Sequence, residues 1–154
     1  MKTTRLAIAA WILATMATAC GGSDKAADTE ASFCEVAAAV KDAADVQQKL
    51  FDAVDAPAAT AVQPAVEDFA LKFAAMNSIA PTGIKSDVAT LNGVAQQLAN
   101  VVRASKYDVV AMVGTKEFAA LTTTFSSATY TSAQDRFQRY IDTNCGFATT
   151  TPGT

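Results

Sequence analysis

Residues 64–79 read PAVEDFALKFAAMNSI. Val66, Phe69, Ala70, Phe73, Met76 and Ile79 recur at steps of three and four, which lays one apolar stripe along a helix. Pro64 sits where a helix can begin, because its missing N–H has no intrahelical partner there anyway. The pattern stops before Pro81 and Gly83, two residues that break helices. A segment with one apolar face and one polar face must pack against others of its kind, so this stretch points to a helical bundle.

Working toward the C-terminus, a third helix starts near Ile84 and continues through Val88, Leu91, Ala95, Leu98 and Val102 at helical spacing. Asp87, Asn92, Gln96, Gln97 and Arg103 fall elsewhere on its wheel. Gly93 costs about 1 kcal/mol against Ala in a helix interior unless a close approach requires it. Tyr107 to Val113 is rich in β-branched residues, but a lone strand has no partner with which to form a sheet, so the segment reads as a packed connector. From Thr115 the helical pattern resumes with Phe118, Leu121 and Phe125. Thr122 to Thr124 lower the intrinsic stability of that short helix. A last helix from about Ser132 to Asn144 presents Phe137, Tyr140 and Ile141, and Cys145 followed by Gly146 has the look of a helix end.

Toward the N-terminus, Ser32 to Asp55 forms an amphipathic helix carrying Phe33, Val36, Ala37, Val40, Ala44, Leu50, Phe51 and Val54. Ser32 followed by Glu35 has the spacing of a capping box, which places the helix start just before Cys34. Pro57 ends the pattern, and Ala56 to Gln63 reads as a connection. The expected fold is therefore all-α, a four- or five-helix bundle over residues 32–147. Residues 148–154, small and polar, read as a disordered tail.

The start of the chain reads as an address. Lys2 and Arg5 precede an apolar run from Leu6 to Ala19, and Ala17, Thr18 and Ala19 lead into Cys20, which Gly21, Gly22, Ser23 and Asp24 follow. This is the layout of a bacterial lipoprotein signal over residues 1–19, removed before folding, with Cys20 as the lipidated residue. Ala17 stands where lipoproteins usually carry Leu, and Ala17 with Ala19 also satisfies ordinary secretory cleavage at the same bond. The apolar run is too short for a spanning helix, which needs about 20 residues. Residues 20–31 lack bulky apolar groups and read as a flexible tether to the extracytoplasmic face of the membrane.

Three cysteines in an exported chain leave one thiol to explain, and lipidation of Cys20 explains it. Cys34 and Cys145 remain as a pair in an oxidising compartment, where a disulfide persists. Closing so long a loop stabilises a fold by about 4 to 5 kcal/mol in the chain-entropy account. No CxxC spacing and no histidine support a redox or metal role for the pair.

Phe33 and Cys34 near the start, Ala80 and Pro81 leading into Ile84, Lys85, Asp87 and Val88, and Asn144, Cys145 and Gly146 near the end resemble small exported helical lipoproteins of actinobacteria. The resemblance implies a helical bundle with a disulfide between its first and last helices, and it implies no activity.

Acidic balance and missing residue types narrow the function. The chain has 12 Lys and Arg against 15 Asp and Glu, and loss of residues 1–19 removes Lys2 and Arg5 but no acid. That charge disfavours nucleic acid as a partner, since such binders cluster cations to displace counterions. The absence of histidine removes Ser/His and Cys/His nucleophile systems together with the commonest metal ligand. Asp42 with Asp45, Asp52 with Asp55, and Glu67 with Asp68 are carboxylate pairs, but carboxylates interleaved with lysine are normally a solvated helix face. Gly83, Gly93 and Gly114 stand alone and form no phosphate loop. No cofactor, metal or catalytic residue is expected.

Two function classes remain. The first is a noncatalytic envelope lipoprotein that docks an exported protein or a cell-wall component. The second is a carrier or sensor of a small apolar molecule held between helices, lined by Phe51, Phe69, Phe73, Phe118, Phe125, Tyr130, Phe137 and Tyr140, although rings at helical spacing are more often simply core. A cavity of several hundred Å³ favours the carrier; a filled core with an exposed apolar patch favours docking.

Overall fold

The structure, a computed structural model, describes residues 24–51 and 59–147. These form six helices and no strand: α1 Asp24–Phe51, α2 Ala59–Ile79, α3 Lys85–Ala104, α4 Val109–Val113, α5 Lys116–Phe125 and α6 Ala128–Asn144. The all-α bundle is thus present, with one helix more than the sequence suggested. Helix α3 is its centre, packing against α2, α4, α5 and α6, while α1 lies against α2 and α6.

The turns follow from local chemistry. Ala80 precedes Pro81, which disfavours continuation of α2, and Ile84 N donates to the Pro81 carbonyl at 3.0 Å before α3 starts. After α3 the chain reverses through Lys106 and Tyr107, both in the left-handed region at φ 54 and 62. A side chain caps each of the next three helices. Asp108 accepts from Ala111 N at 2.9 Å, Thr115 from Phe118 N at 3.2 Å and Ser127 from Tyr130 N at 3.2 Å. Each satisfies an N–H that a helix start otherwise leaves open.

Several boundaries differ from the sequence reading. Helix α1 starts at Asp24, within residues 20–31 that were expected as a tether, so Ser32 and Glu35 lie inside the helix and form no box. Ala26, Ala27 and Ala31 carry high intrinsic helix propensity, and Glu30 accepts from the Tyr140 hydroxyl at 3.1 Å, which ties this part of α1 to α6. Pro64 lies inside α2 rather than at its start, where its ring forgoes one backbone bond. The Tyr107 to Val113 connector contains α4, set by the Asp108 cap. Helix α6 begins at Ala128 rather than near Ser132, set by the Ser127 cap. A Cβ added at Gly93 would meet nothing within 4 Å, so no close approach requires glycine there. Residues 1–19, Cys20, Asp52, Asp55, Pro57 and the 148–154 tail lie outside the described residues.

The core is divided. One cluster gathers Val62, Val66, Ala70, Val94, Ala99, Val101, Val102, Met112 and Leu121 from α2 to α5. The other gathers Phe33, Ala37, Val40, Met76, Ala80, Ile84, Val88 and Ile141 from α1, α2, α3 and α6 and the α2–α3 turn. Cys34 and Cys145 are joined, with Cα atoms 5.3 Å apart and a separation of 111 positions in sequence, so the bond fastens the first helix to the end of the last beside the second cluster. Asp87 of α3, 6% exposed, accepts from Arg136 Nε and Nη2 of α6 at 2.6 to 3.1 Å. A buried carboxylate needs such a partner.

Candidate functional site

Between the two clusters the helices leave a cavity of about 670 Å³. Its walls come from Phe69 and Phe73 of α2, Leu91, Val94, Ala95 and Leu98 of α3, Val109, Met112 and Val113 of α4, and Phe118 and Phe125 of α5. Ala44 of α1 and Tyr130 and Gln134 of α6 complete the lining. A second space of about 270 Å³ shares Ala44, Phe69, Phe73, Leu91, Tyr130 and Gln134 with the first, so the two form one cleft. Its further walls are Ala37, Val40 and Lys41 on α1 and Phe137, Gln138 and Ile141 on α6, with Phe147 beyond. Helical spacing explains the arrangement: Ala37, Val40, Lys41 and Ala44 lie on one face of α1, as Tyr130, Gln134, Phe137, Gln138 and Ile141 do on α6.

The aromatic walls are ordered by edge-to-face contacts. Phe69 and Phe73 have ring centroids 4.8 Å apart, and Phe125 and Tyr130 5.2 Å, the geometry that the ring quadrupoles favour. Of the aromatics named from the sequence, Phe69, Phe73, Phe118, Phe125, Tyr130 and Phe137 line the cleft. Tyr140 instead packs on Phe33 with ring centroids 5.8 Å apart, and the Phe51 side chain is outside the described residues. The Tyr130 hydroxyl makes no hydrogen bond among the described residues, and burial pushes its phenol up.

The carboxylate pairs do not converge on a site. Asp42 and Asp45 are exposed on α1, and Asp68 pairs with Lys72 at 2.6 Å along α2. Glu67 is engaged by its neighbours: Arg103 Nε and Nη2 donate to its two oxygens at 2.7 and 2.6 Å, and the Tyr107 hydroxyl donates at 2.8 Å. Gln96 of α3 reaches across to α2: its amide donates to the Ala70 carbonyl at 2.8 Å and to Asn92 of its own helix at 3.3 Å. Among the described residues no group of three His, Cys, Asp or Glu side chains could hold a metal ion, and no helix is long and apolar enough to cross a membrane.

The Glu67 cluster gives the fold a pH dependence. Hydrogen bonds from Arg103 and then Tyr107 hold the Glu67 carboxyl down to about 2 from its ordinary 4.5. Since the unfolded chain binds the proton more readily, this stabilisation is present above about pH 4.5 and is lost as pH falls toward about 2. Glu67→Gln is expected to destabilise by about 1 kcal/mol at pH 7, a small value because the pair is partly solvated. Urea denaturation should show that difference shrinking below pH 4; a difference independent of pH would mean that the charge is not its source.

Comparison with protein families, with curated proteins and with solved structures finds no match for this chain.

Proposed function

We propose that this protein is a noncatalytic cell-envelope lipoprotein, anchored through a lipid on Cys20, whose bundle carries or senses a small apolar molecule. The observation that carries the reading is the cleft itself: a space of about 670 Å³, walled by aromatic and aliphatic side chains from every helix. Ligand sites typically occupy about 300–1,000 Å³ and are mostly apolar with a few placed polar groups. Bundles build such sites between facing helices. The envelope placement rests on the signal at residues 1–20 and on the likeness of the Phe33–Cys34 and Asn144–Cys145–Gly146 segments to exported actinobacterial bundles. Docking of a protein or cell-wall component has less support. Among the described residues the exposed large apolar side chains are Leu71 on α2 and Val110 and Val113 on the short α4, too few for a docking patch, and Val113 already borders the cleft.

Titration of the full chain with N-phenyl-1-naphthylamine, an uncharged apolar fluorophore, tests the reading. One saturable site with enhanced fluorescence is expected. Ala44→Phe, at the partly exposed neck shared by both spaces, should weaken binding at least tenfold while leaving the helical circular dichroism and the melting curve intact. Absence of uptake, or uptake indifferent to Ala44→Phe, overturns the carrier reading. Denaturing mass spectrometry of the chain from its own cells reads the acyl mass on Cys20, and an unmodified Cys20 overturns the anchor alone.

A further inference from the structure

The cleft is polarised along its length. Apart from Tyr130 and Gln134, the larger space is lined by aliphatic side chains, the Met112 thioether and the rings of phenylalanines. The smaller space adds Lys41 and Gln138 to those two. Lys41 is the one charged side chain among the described residues lining either space, and no carboxylate lines them. That is notable in a chain with more acids than bases. Lys41 makes no ion pair among the described residues, although Asp42 and Asp45 are its neighbours on α1. Gln138 differs, since its amide is engaged by Asp142 at 2.9 Å. Lys41, with no ion pair among the described residues, thus lines one end of an apolar cleft, and Tyr130 and Gln134 line both of its spaces.

Taking the cleft as a ligand site, we propose that its ligand is a long-chain monocarboxylate, seated with its hydrocarbon tail among Phe69, Phe73, Phe118 and Phe125 and its head at Lys41. One ammonium matches one negative charge, and charge-assisted hydrogen bonds are about twice as strong as neutral ones. A carboxylate has acceptor sites enough to take one hydrogen bond each from Lys41, the Tyr130 hydroxyl and the Gln134 amide. An uncharged head forgoes the ammonium, and a cationic head opposes it. The tail supplies affinity in proportion to its buried length, about fourfold per methylene until the larger space is filled.

Competition against N-phenyl-1-naphthylamine on the full chain at pH 8, with palmitate, 1-hexadecanol and hexadecyltrimethylammonium as competitors of equal tail length, tests this. Palmitate should bind about five- to tenfold more tightly than the alcohol. Lys41→Ala should remove that preference, the acid losing about five- to tenfold more affinity than the alcohol, and Lys41→Arg should retain it. Lys41 is exposed, so these variants fold as the parent does. Equal affinity for acid and alcohol, a preference for the cation, or a preference that survives Lys41→Ala overturns the carboxylate assignment and leaves the apolar carrier standing. Failure of the fluorophore and all three competitors to bind overturns both.

Discussion

Replacing Cys34 and Cys145 together by serine is expected to lower the stability of the bundle by about 4 to 5 kcal/mol and its melting temperature by about 15 °C. The bond spans 111 residues, nearly all of the described bundle, so its removal returns to the unfolded chain the freedom of an almost unconstrained loop. Loop-closure entropy grows only with the logarithm of length, but at this span it is already comparable to the whole net stability of a typical domain. The double variant is the cleaner comparison, since either single change leaves a free thiol beside the second cluster. Parallel melting curves of the oxidised parent, the reduced parent and the double variant check it. The reduced parent should fall with the variant, and a loss below about 1 kcal/mol in both would mean that packing between α1 and α6 already does the work assigned to the bond.

Phe33→Ala is expected to cost about 3 to 5 kcal/mol. Phe33 is fully buried and meets Phe137 and Tyr140 of α6 edge to face, with ring centroids 6.4 and 5.8 Å apart. Truncation removes the transfer energy of a large ring and leaves a void that two other rings can fill only by abandoning their geometry. Phe33 adjoins Cys34, so its loss and the loss of the disulfide act on one contact between α1 and α6 and should not add. Combined in one chain, they should destabilise by less than the sum of the separate effects. Urea denaturation of the three variants measures the coupling. Simple additivity would show that the ring and the bond stabilise separate parts of the molecule.

The stripes on α2 and α3 were legible because their apolar residues lie on one helical face and Pro81 with Gly83 punctuates the turn between them. Asp24 to Ala31 was not, because the reading weighed burial, whereas alanine propensity and a hydrogen bond from Tyr140, 110 residues away, decide that turn. Helix α4 was missed for a related reason: Val109, Val110 and Val113 carry strand propensity, and one capping carboxylate on Asp108 outweighs it over so short a span. Ser127 likewise sets the start of α6 upstream of the apolar positions that the reading used. The pairs Glu67 with Arg103 and Asp87 with Arg136 join residues 36 and 49 positions apart and leave no local pattern. The aromatics of the cleft were visible as a set, but spacing along a helix cannot say whether facing rings meet or stand apart. That depends on how two core clusters from different helices fail to merge.

The bond between Cys34 and Cys145 also decides where a mechanical load travels. Tension applied between any point before Cys34 and any point after Cys145 passes directly through the two sulfurs. The chain between them, whose ends are 111 positions apart, is bypassed as a side branch. Helices α2 to α5 therefore lie off the direct line of the pull, and of the residues that line the cleft only Phe147 stands outside the loop that the bond closes.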